Sequence, residues 1–411
     1  MIKLICRCLT SQALLLVCAL VLLGLEANGQ CPGTTLTGGL QGPSKIIQTA
    51  LGNLIVAENG TLEPNSGRIS IVGLDGGRRS LLEGLPSGIN SNGDNSGPSG
   101  LFLRGRTLYI VNGEGDATLP GPIPGTELPN LSPSSPIISS ILALHFSART
   151  EKITKGFKLS LADHQALKDG SRLSLSNGEG DKITLGLVVD FPNYVSNPLP
   201  FFPPNVAHSN PYGLIVTEER EKGEPHGEHE RKDEDEVTLY VVDAGLNALL
   251  KVDIESGATS ILTNFPSIPN PLFPGLGGPF IESVPTSIRE FDNRFLVTLL
   301  RGFPFLPGNA AVMKVRPFTG GQQQFIGGLT SAIDVLPVRT WGRTHFLTLE
   351  ISTNLLVGDP GRLQRFSSPA GPGTVISKCL IGPSAMVRDS RKGVLYVTEI
   401  FTGRIIKIPG L

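Results

Sequence analysis

One short unit recurs six times along this chain, and it constrains the fold more than any other feature of the sequence. Each copy opens on a turn-forming triplet: Gly42-Pro43-Ser44, Gly97-Pro98-Ser99, Asn210-Pro211-Tyr212, Val284-Pro285-Thr286, Leu329-Thr330-Ser331 and Gly382-Pro383-Ser384. An apolar strand and a second, β-branched strand follow each triplet; most copies have a third strand and several a fourth. Three or four short strands per repeat, six times over, predict an all-β fold, a six-bladed β-propeller.

The last copy, Ile381–Ile408, ends at its third strand and lacks an outer one. The segment Thr34–Leu40 (TTLTGGL), near the other end of the chain, has the composition of a strand. Pairing of these two segments leaves no unpaired edge between blades. We therefore predict that the N-terminal strand pairs with the C-terminal blade and closes the ring.

The copies are unevenly spaced, with the widest interval between Gly97 and Asn210. We interpret the excess as loop insertions on the propeller faces, at about 119–136, 157–204 and 218–236, the second of them with a short helix at LSLADHQALKDG. Residues 30–411 then form a single domain. The alternative is a seventh, degenerate blade built from Lys182–Phe191.

The composition and the charge agree with this class of fold. The chain has 50 Gly and 33 Pro residues among 411, as expected for many strands joined by turns. Its formal net charge of −1 predicts neither nucleic acid nor an anionic membrane as a partner.

Residues 1–29 have the pattern of a secretory signal peptide. Lys3 and Arg7 precede the apolar stretch Ala13–Leu25, which is short for a membrane span, and Ala27-Asn28-Gly29 has the small residues of a cleavage site. We predict a secreted or periplasmic protein with no stable membrane span after cleavage. The alternative is an uncleaved anchor.

Two cysteines, Cys31 and Cys379, remain after the predicted cleavage. An oxidising compartment permits one intrachain disulfide between them, and the alternative is a pair of free thiols. Two sequons, at Asn59 and Asn130, are candidate glycosylation sites if the host is eukaryotic.

The ends of the second strands form a polar column at five of six positions: Glu58, Asn112, Asp243, Leu299, Glu350 and Glu399. Equivalent positions of a propeller surround one axis, and oxygen ligands from several blades suit calcium. The five polar residues are therefore a candidate metal site. The alternative is structural, because such side chains also accept hydrogen bonds from the backbone of the next turn.

The other chemistry-bearing residues form no catalytic pattern. His226 and His229 lie in the charged insertion, where a metal site competes with a solvated loop. His208 precedes a blade and is a candidate to line a face. The aromatic segments Phe201–Pro204 and Phe303–Pro307 either cap the core or form a ligand patch.

Three segments carry a resemblance to a known family. They are Ser209–Leu214 leading into LYVVDAGLNALLKVD, Val284–Ser287 leading into TLLRGFPFLPGNAAVMKV, and Leu329–Leu336. The chain resembles the ScyD/ScyE family of secreted propellers with NHL-like repeats, named from genes linked to synthesis of the pigment scytonemin. The resemblance covers nearly the whole mature chain, apart from the charged insertion Glu218–Glu236. It implies a propeller and export, and it implies no catalytic residues.

The leading functional hypothesis is a non-enzymatic binding or accessory propeller, monomeric, that offers one face to a small molecule, glycan or protein. The alternative is a calcium-dependent hydrolase of the lactonase type, in which the polar column holds the metal and a carboxylate or histidine acts as base. A third hypothesis is a structural protein of the cell surface.

Overall fold

The structure of the protein, a computed structural model, describes residues 31–411 except 124, 201, 220–235 and 341. The predicted signal peptide and the histidines of the charged insertion, His226 and His229, lie outside the described residues. Gly33–Leu411 form one compact unit.

The chain begins with one strand and a complete blade. These are β1 (Thr34–Thr37), then β2 (Pro43–Gln48), β3 (Leu54–Glu58), β4 (Gly67–Val72) and β5 (Arg78–Leu85) of blade 1, followed by the hairpin β6 (Gly88–Ile89) and β7 (Asn95–Ser96). Blade 2 and its insertions comprise β8 (Pro98–Arg104), β9 (Thr107–Asn112), β10 (Thr118–Pro120), β11 (Glu127–Pro129), β12 (Ser140–Phe146), helix α1 (Ala148–Ile153), β13 (Phe157–Lys158), helix α2 (Leu161–Lys168), β14 (Leu173–Ser176) and β15 (Lys182–Asp190).

Four further blades follow, two of them preceded by hairpins. The hairpin β16 (Tyr194–Ser196) and β17 (Val206–His208) precedes blade 3, with β18 (Pro211–Glu219), β19 (Glu236–Asp243), β20 (Ala248–Asp253) and β21 (Thr259–Asn264). The hairpin β22 (Ile268–Pro269) and β23 (Phe280–Ile281) precedes blade 4, with β24 (Pro285–Phe291), β25 (Arg294–Leu299), β26 (Ala310–Val315) and β27 (Gln322–Leu329). Blade 5 has β28 (Ala332–Thr340), β29 (Arg343–Glu350), a 3-10 turn (Leu355–Val357), β30 (Gly361–Phe366) and β31 (Thr374–Leu380), and blade 6 has β32 (Pro383–Asp389), β33 (Val394–Glu399) and β34 (Arg404–Pro409).

The ring closes as the sequence predicts. Strand β1 pairs antiparallel with β34 and supplies the fourth strand of blade 6, with Thr34 opposite Lys407. The protein is therefore a six-bladed β-propeller whose first and last strands lie in one sheet. Cys31 and Cys379 form a disulfide, as one of the two interpretations of these cysteines required.

A belt of hydroxyl groups links neighbouring blades at the start of the innermost strands. Each donor lies one position after the proline or its equivalent and bonds to a backbone carbonyl of the next blade: Ser44 Oγ to Pro98 O (2.5 Å), Ser99 Oγ to Pro211 O (2.9 Å), Thr286 Oγ1 to Ile333 O (3.1 Å) and Ser384 Oγ to Pro43 O (2.6 Å). The hydroxyl of the repeated triplet thus holds one blade to the next.

The fifth copy of the repeat starts two residues later than the sequence suggested. Ala332, and not Thr330, pairs with Glu350 as Pro43 pairs with Glu58 in blade 1. The prediction of Leu329-Thr330-Ser331 as the opening triplet is therefore wrong, and the equivalent residues are Ser331-Ala332-Ile333. This copy has no proline, so its sequence lacks the residue that marks the strand start elsewhere.

The stretch predicted as the insertion 157–204 contains a blade strand. Lys182–Asp190, the core of the suggested seventh blade, is the fourth strand of blade 2 and pairs with Ser140–Phe146. Its distance from β12 along the chain is filled by α1, β13, α2 and β14, and β13 pairs in parallel with β5 of blade 1. The predicted helix is α2, which begins at the N-cap Ser160 in a capping box with Asp163.

Apolar side chains fill the space between the blades. Tyr240 of blade 3 packs against Phe295 of blade 4 with ring centroids 4.7 Å apart, and Phe346 of blade 5 meets Phe291 of blade 4 edge-on at 5.0 Å. Strand β33, VLYVTE, is buried at every position. Within the described residues, no helix is both long and apolar enough to cross a membrane.

Candidate functional site

The predicted polar column lies where the second strands end, and its members are buried. In three blades it is a glutamate that accepts hydrogen bonds from an arginine of the same blade: Arg68 Nη2 to Glu58 Oε2 (2.5 Å), Arg362 Nη2 to Glu350 Oε1 (2.8 Å) and Arg404 Nη2 to Glu399 Oε2 (2.7 Å). Each of these glutamates also accepts a backbone N–H from the segment that leads into its blade, from Gln41, Thr330 and Ile381 in turn. The glutamate therefore fixes the start of its blade to the third strand.

The other polar members of the column, Asp243 and Asn112, also form hydrogen bonds within the fold. Asp243 accepts hydrogen bonds from Ser209 Oγ (2.6 Å) and from the backbone N–H groups of Asn210 and Leu246 (both 2.9 Å). Asn112 Nδ2 donates to Ser140 Oγ at 3.1 Å. Within the part of the chain that the structure describes, no three His, Cys, Asp or Glu side chains are grouped to hold a metal ion. The contacts favour the structural interpretation of the column, and cation binding there stays a prediction.

The sequence carries a signal for these pairs. The three blades with glutamate in the column open their third strand on Gly-Arg: Gly67-Arg68, Gly361-Arg362 and Gly403-Arg404. The blades with Asn112, Asp243 or Leu299 have Ser140, Ala248 or Ala311 opposite that residue instead. The matching of glutamate with arginine within each repeat indicates an ion pair inside the blade.

A candidate site is an open pocket of about 810 Å³ on the face where the second strands end, between blades 2, 3 and 4. Its centre is His208, at the end of β17. His208 Nε2 lies 3.0 Å from Glu114 Oε2, and Nδ1 lies 2.8 Å from Glu127 Oε2. Both nitrogens of one imidazole ring thus face carboxylates from the insertions of blade 2.

The pair of carboxylates fixes the charge of His208. Burial alone lowers the pKa of His208, but the hydrogen bonds and charges of Glu114 and Glu127 outweigh it and raise the pKa to about 11. Burial opposes the ionised form of Glu127 as well, yet its bonds to His208 and Ser91 lower its pKa overall. At neutral pH the group is therefore an imidazolium between two carboxylates.

Neighbouring amides hold Glu114 in place. Its Oε1 accepts hydrogen bonds from Asn90 Nδ2 at 2.8 Å and from Asn210 Nδ2 at 3.2 Å. Glu114 is buried, and the side chain of His208 is one-fifth exposed. The histidine and its partners therefore form the floor of the pocket.

Two more carboxylates and an aromatic rim complete the lining. Asp94 and Glu282 border the pocket, and no lysine or arginine is among its described lining residues. Burial and, less strongly, the charge of Glu114 raise the pKa of Asp94. Phe303 is 46% exposed and lies edge-on to Phe305, with ring centroids 6.1 Å apart. The pocket therefore combines an acidic floor with exposed aromatic surface.

Of this pocket, the sequence singled out His208 and the segment Phe303–Pro307, and it missed the carboxylates. Glu127 lies 81 residues before His208, in a hairpin that has no counterpart within the described residues of the other blades. Such residues follow no repeat, so alignment of the copies does not reveal them.

Both predicted glycosylation asparagines use their amide nitrogens within the fold. Asn59 Nδ2 donates to Asn95 O at 3.1 Å, and Asn130 Nδ2 donates to Asp116 O at 2.7 Å. Glycosylation at either site stays a prediction.

No protein-family model matches this sequence, and no curated protein matches it. Solved structures of similar shape include a nidogen/laminin complex (10% identity, 84% of this chain and 87% of that one, TM-score 0.42). Others are an auxiliary nutrient binding protein from Bacteroides thetaiotaomicron (8%, 90% and 69%, TM-score 0.46) and virginiamycin B lyase from Staphylococcus aureus (14%, 90% and 95%, TM-score 0.40). All three TM-scores are below 0.5, so the propeller assignment rests on the blades themselves.

Proposed function

We propose that this protein is an exported, non-enzymatic binding propeller of the ScyD/ScyE type, and that its pocket at His208 binds a small organic cation. The observation that carries the proposal is the charge of the lining. Four carboxylates, Asp94, Glu114, Glu127 and Glu282, line the pocket together with a single imidazolium. A cationic ligand compensates this excess of negative charge, whereas an anionic ligand adds to it.

The rim supports an organic rather than a metal cation. Exposed aromatic rings attract ammonium groups through their π-electron faces and contribute about 0.5–2 kcal/mol per contact. Phe303 supplies such a surface beside Glu282 in the pocket lining. Pockets of this size commonly enclose ligands of metabolite dimensions.

The state of His208 supports binding rather than catalysis. A general base needs a free lone pair near the operating pH. His208 is protonated at neutral pH, and both of its nitrogens face carboxylates. It therefore holds Glu114 and Glu127 in place and does not accept a proton from a substrate.

Export is the remaining part of the proposal. The signal-like pattern of residues 1–29 supports it. The Cys31–Cys379 disulfide also supports it, because disulfides persist in oxidising compartments.

Isothermal titration calorimetry with choline and with its neutral carbon isostere, 3,3-dimethylbutan-1-ol, tests the ligand class. We expect choline to bind at least tenfold more tightly than the isostere, and we expect the affinity for choline to fall as salt is added. The variants Asp94→Asn and Glu282→Gln remove charge without touching His208, and each is expected to weaken choline binding. Glu255→Gln, at an exposed turn outside the pocket lining, is the matched control.

Equal affinity for the two probes, or a wild-type response from Asp94→Asn and Glu282→Gln, would refute the cation assignment. Hydrolysis of a lactone or ester by the purified protein would refute the non-enzymatic role.

A further inference from the structure

The propeller axis holds a second cavity, separate from the His208 pocket. Its volume is about 440 Å³, and residues of the innermost strands of all six blades line it. They come mainly from the later parts of these strands, such as Ile47, Leu103 and Val387, so the cavity opens on the face opposite the His208 pocket. The two cavities share no lining residue.

The walls of this axial cavity are mostly apolar. The apolar lining residues are Ile47, Leu101, Phe102, Leu103, Leu214, Ile215, Ile288, Leu336, Pro337 and Val387. The charged lining residues are Lys45, Arg289 and Glu290, and Glu290 is solvent-exposed. A ligand that fits this lining is largely apolar with one charged group.

The buried end of the cavity is a charge cluster with an excess of cations. Asp334 is fully buried and accepts hydrogen bonds from Arg289 Nη2 (2.8 Å), Ser287 Oγ (2.6 Å) and Met386 N (3.1 Å). Lys45 Nζ lies 4.0 Å from Asp334 Oδ2, beyond hydrogen-bond distance. Two cations, Lys45 and Arg289, therefore share one carboxylate that also accepts a hydrogen bond from Val335 N at 3.0 Å.

Lys45 is the group left without a hydrogen-bonded partner. Its residue is 6% exposed, and within the described residues its ammonium has the ion pair with Asp334 but no hydrogen bond. A buried ammonium in this state is costly, and an added anion relieves that cost. The pKa of Lys45 is lowered to about 8. Burial is the main cause, the charge of Asp334 partly offsets it, and the charge of Arg289 adds to it.

We propose that the axial cavity binds an amphipathic carboxylate, a medium-chain or aryl carboxylic acid, whose carboxylate pairs with the Lys45 ammonium and whose apolar part lies along the leucine and isoleucine walls. The site is independent of the proposed function at His208. The carboxylate supplies the hydrogen-bond acceptor that Lys45 lacks, and Glu290 at the open end disfavours entry of a ligand with a second carboxylate at its far end.

Calorimetric titration with decanoate, at pH 7 and below its micellar concentration, tests this site. Decanol and decyltrimethylammonium are the uncharged and cationic controls. We expect decanoate to bind at least tenfold more tightly than either. Lys45→Met is expected to lose at least tenfold in decanoate affinity, Lys45→Arg to retain most of it, and Lys392→Met, at an exposed turn, to bind like the wild type.

A second readout needs no variant. Decanoate stays ionised above pH 7, whereas Lys45 loses its proton in this range. The charged or titratable groups around Lys45 are Asp334, Arg289, Tyr212 and Glu290. We therefore expect decanoate affinity to fall between pH 7 and 9.5. Asp94→Asn and Glu282→Gln are expected to leave it unchanged, which separates this site from the His208 pocket. Equal affinity for decanol and decanoate, or unaltered affinity across the pH range, would overturn the proposal.

Discussion

The hydroxyl of Ser384 donates a hydrogen bond to the carbonyl oxygen of Pro43 across 2.6 Å, and this contact joins the last blade to the first. Both residues are buried. The bond repeats at the ring closure what Ser44 and Ser99 do between consecutive blades. The propeller is therefore closed at its centre by the device of its own repeat and at its rim by strand β1.

Removal of this central contact is expected to weaken the whole ring. Ser384→Ala leaves the buried carbonyl of Pro43 without that donor, so we expect the free energy of unfolding to fall by about 1–2 kcal/mol. Urea denaturation measures the change. Ser390→Ala, at an exposed turn, is the control and should stay within about 0.5 kcal/mol of the wild type. Coincident unfolding curves for all three proteins would contradict an energetic role for the belt.

The glutamates of the polar column give a prediction that separates structure from metal binding. Glu350→Gln weakens the buried pair with Arg362, and we expect the free energy of unfolding to fall by about 2–3 kcal/mol. The loss should be the same in millimolar calcium and in EDTA, because the side chain already has its partners. Thermal melts of the wild type, Glu350→Gln and Glu399→Gln measure it.

The opposite outcome would revive the calcium hypothesis. If calcium raises the melting temperature of the wild type and the Glu350→Gln, Glu399→Gln double variant loses that rise, the column holds a cation in solution.

His208 makes stability depend on pH in a defined direction. Its pKa is about 11 in the folded protein, against about 6.5 when unfolded. The folded state then binds more protons between these values, so the contribution of His208 is complete below about pH 6.5 and declines as the pH rises. The variant His208→Gln leaves Glu114 and Glu127 without their cationic partner. We therefore expect it to be less stable than the wild type by about 3 kcal/mol at pH 6. Urea unfolding at pH 6 and pH 9 should show the difference from the wild type shrinking; a constant difference would contradict the imidazolium assignment.

Lys45 makes stability depend on pH in the opposite direction. Its pKa falls from an ordinary value near 10.5 to about 8 on folding, so the unfolded chain binds more protons between these values and stability rises with pH there. Relative to Lys45→Met, the wild type should gain about 1–3 kcal/mol between pH 7 and pH 10. Urea unfolding of both proteins at the two pH values provides the measurement, and parallel pH profiles would contradict the assignment.

The repeat made most of the fold predictable. Proline and β-branched residues restrict the backbone only locally, so the starts of five innermost strands were predictable from the sequence around them. The closing strand was predicted within Thr34–Leu40, and the structure places it at Thr34–Thr37. The fifth copy was misplaced because Ala332 stands where the other copies have proline. The fourth strand of blade 2 was missed because two helices and two short strands separate it from β12.

The wrong register of the fifth copy also prevented prediction of the charge cluster at the buried end of the axial cavity. A bulge follows the proline position in every innermost strand, and the residues just beyond it are Lys45, Gly100, Gly213, Ser287, Asp334 and Ala385. A side chain at Gly100 would approach Tyr212 O to 2.3 Å, which shows how close the blades come there. With the fifth copy in the wrong register, Asp334 was not aligned with Lys45 and the other residues that follow the bulge. The pairing of Lys45 with Asp334 was therefore not apparent.

The sequence by itself predicted the number of blades and the closure of the ring, because these depend on turn chemistry and strand patterning repeated along the chain. Only the tertiary structure showed that the glutamates of the polar column bond to arginines of their own blades, that Glu114 and Glu127 enclose His208, and that Lys45 faces the axial cavity beside Asp334. These contacts join residues far apart in the chain, and their distances depend on how six twisted sheets pack around an axis. The apolar packing between the blades sets that geometry, and no single segment of sequence encodes it.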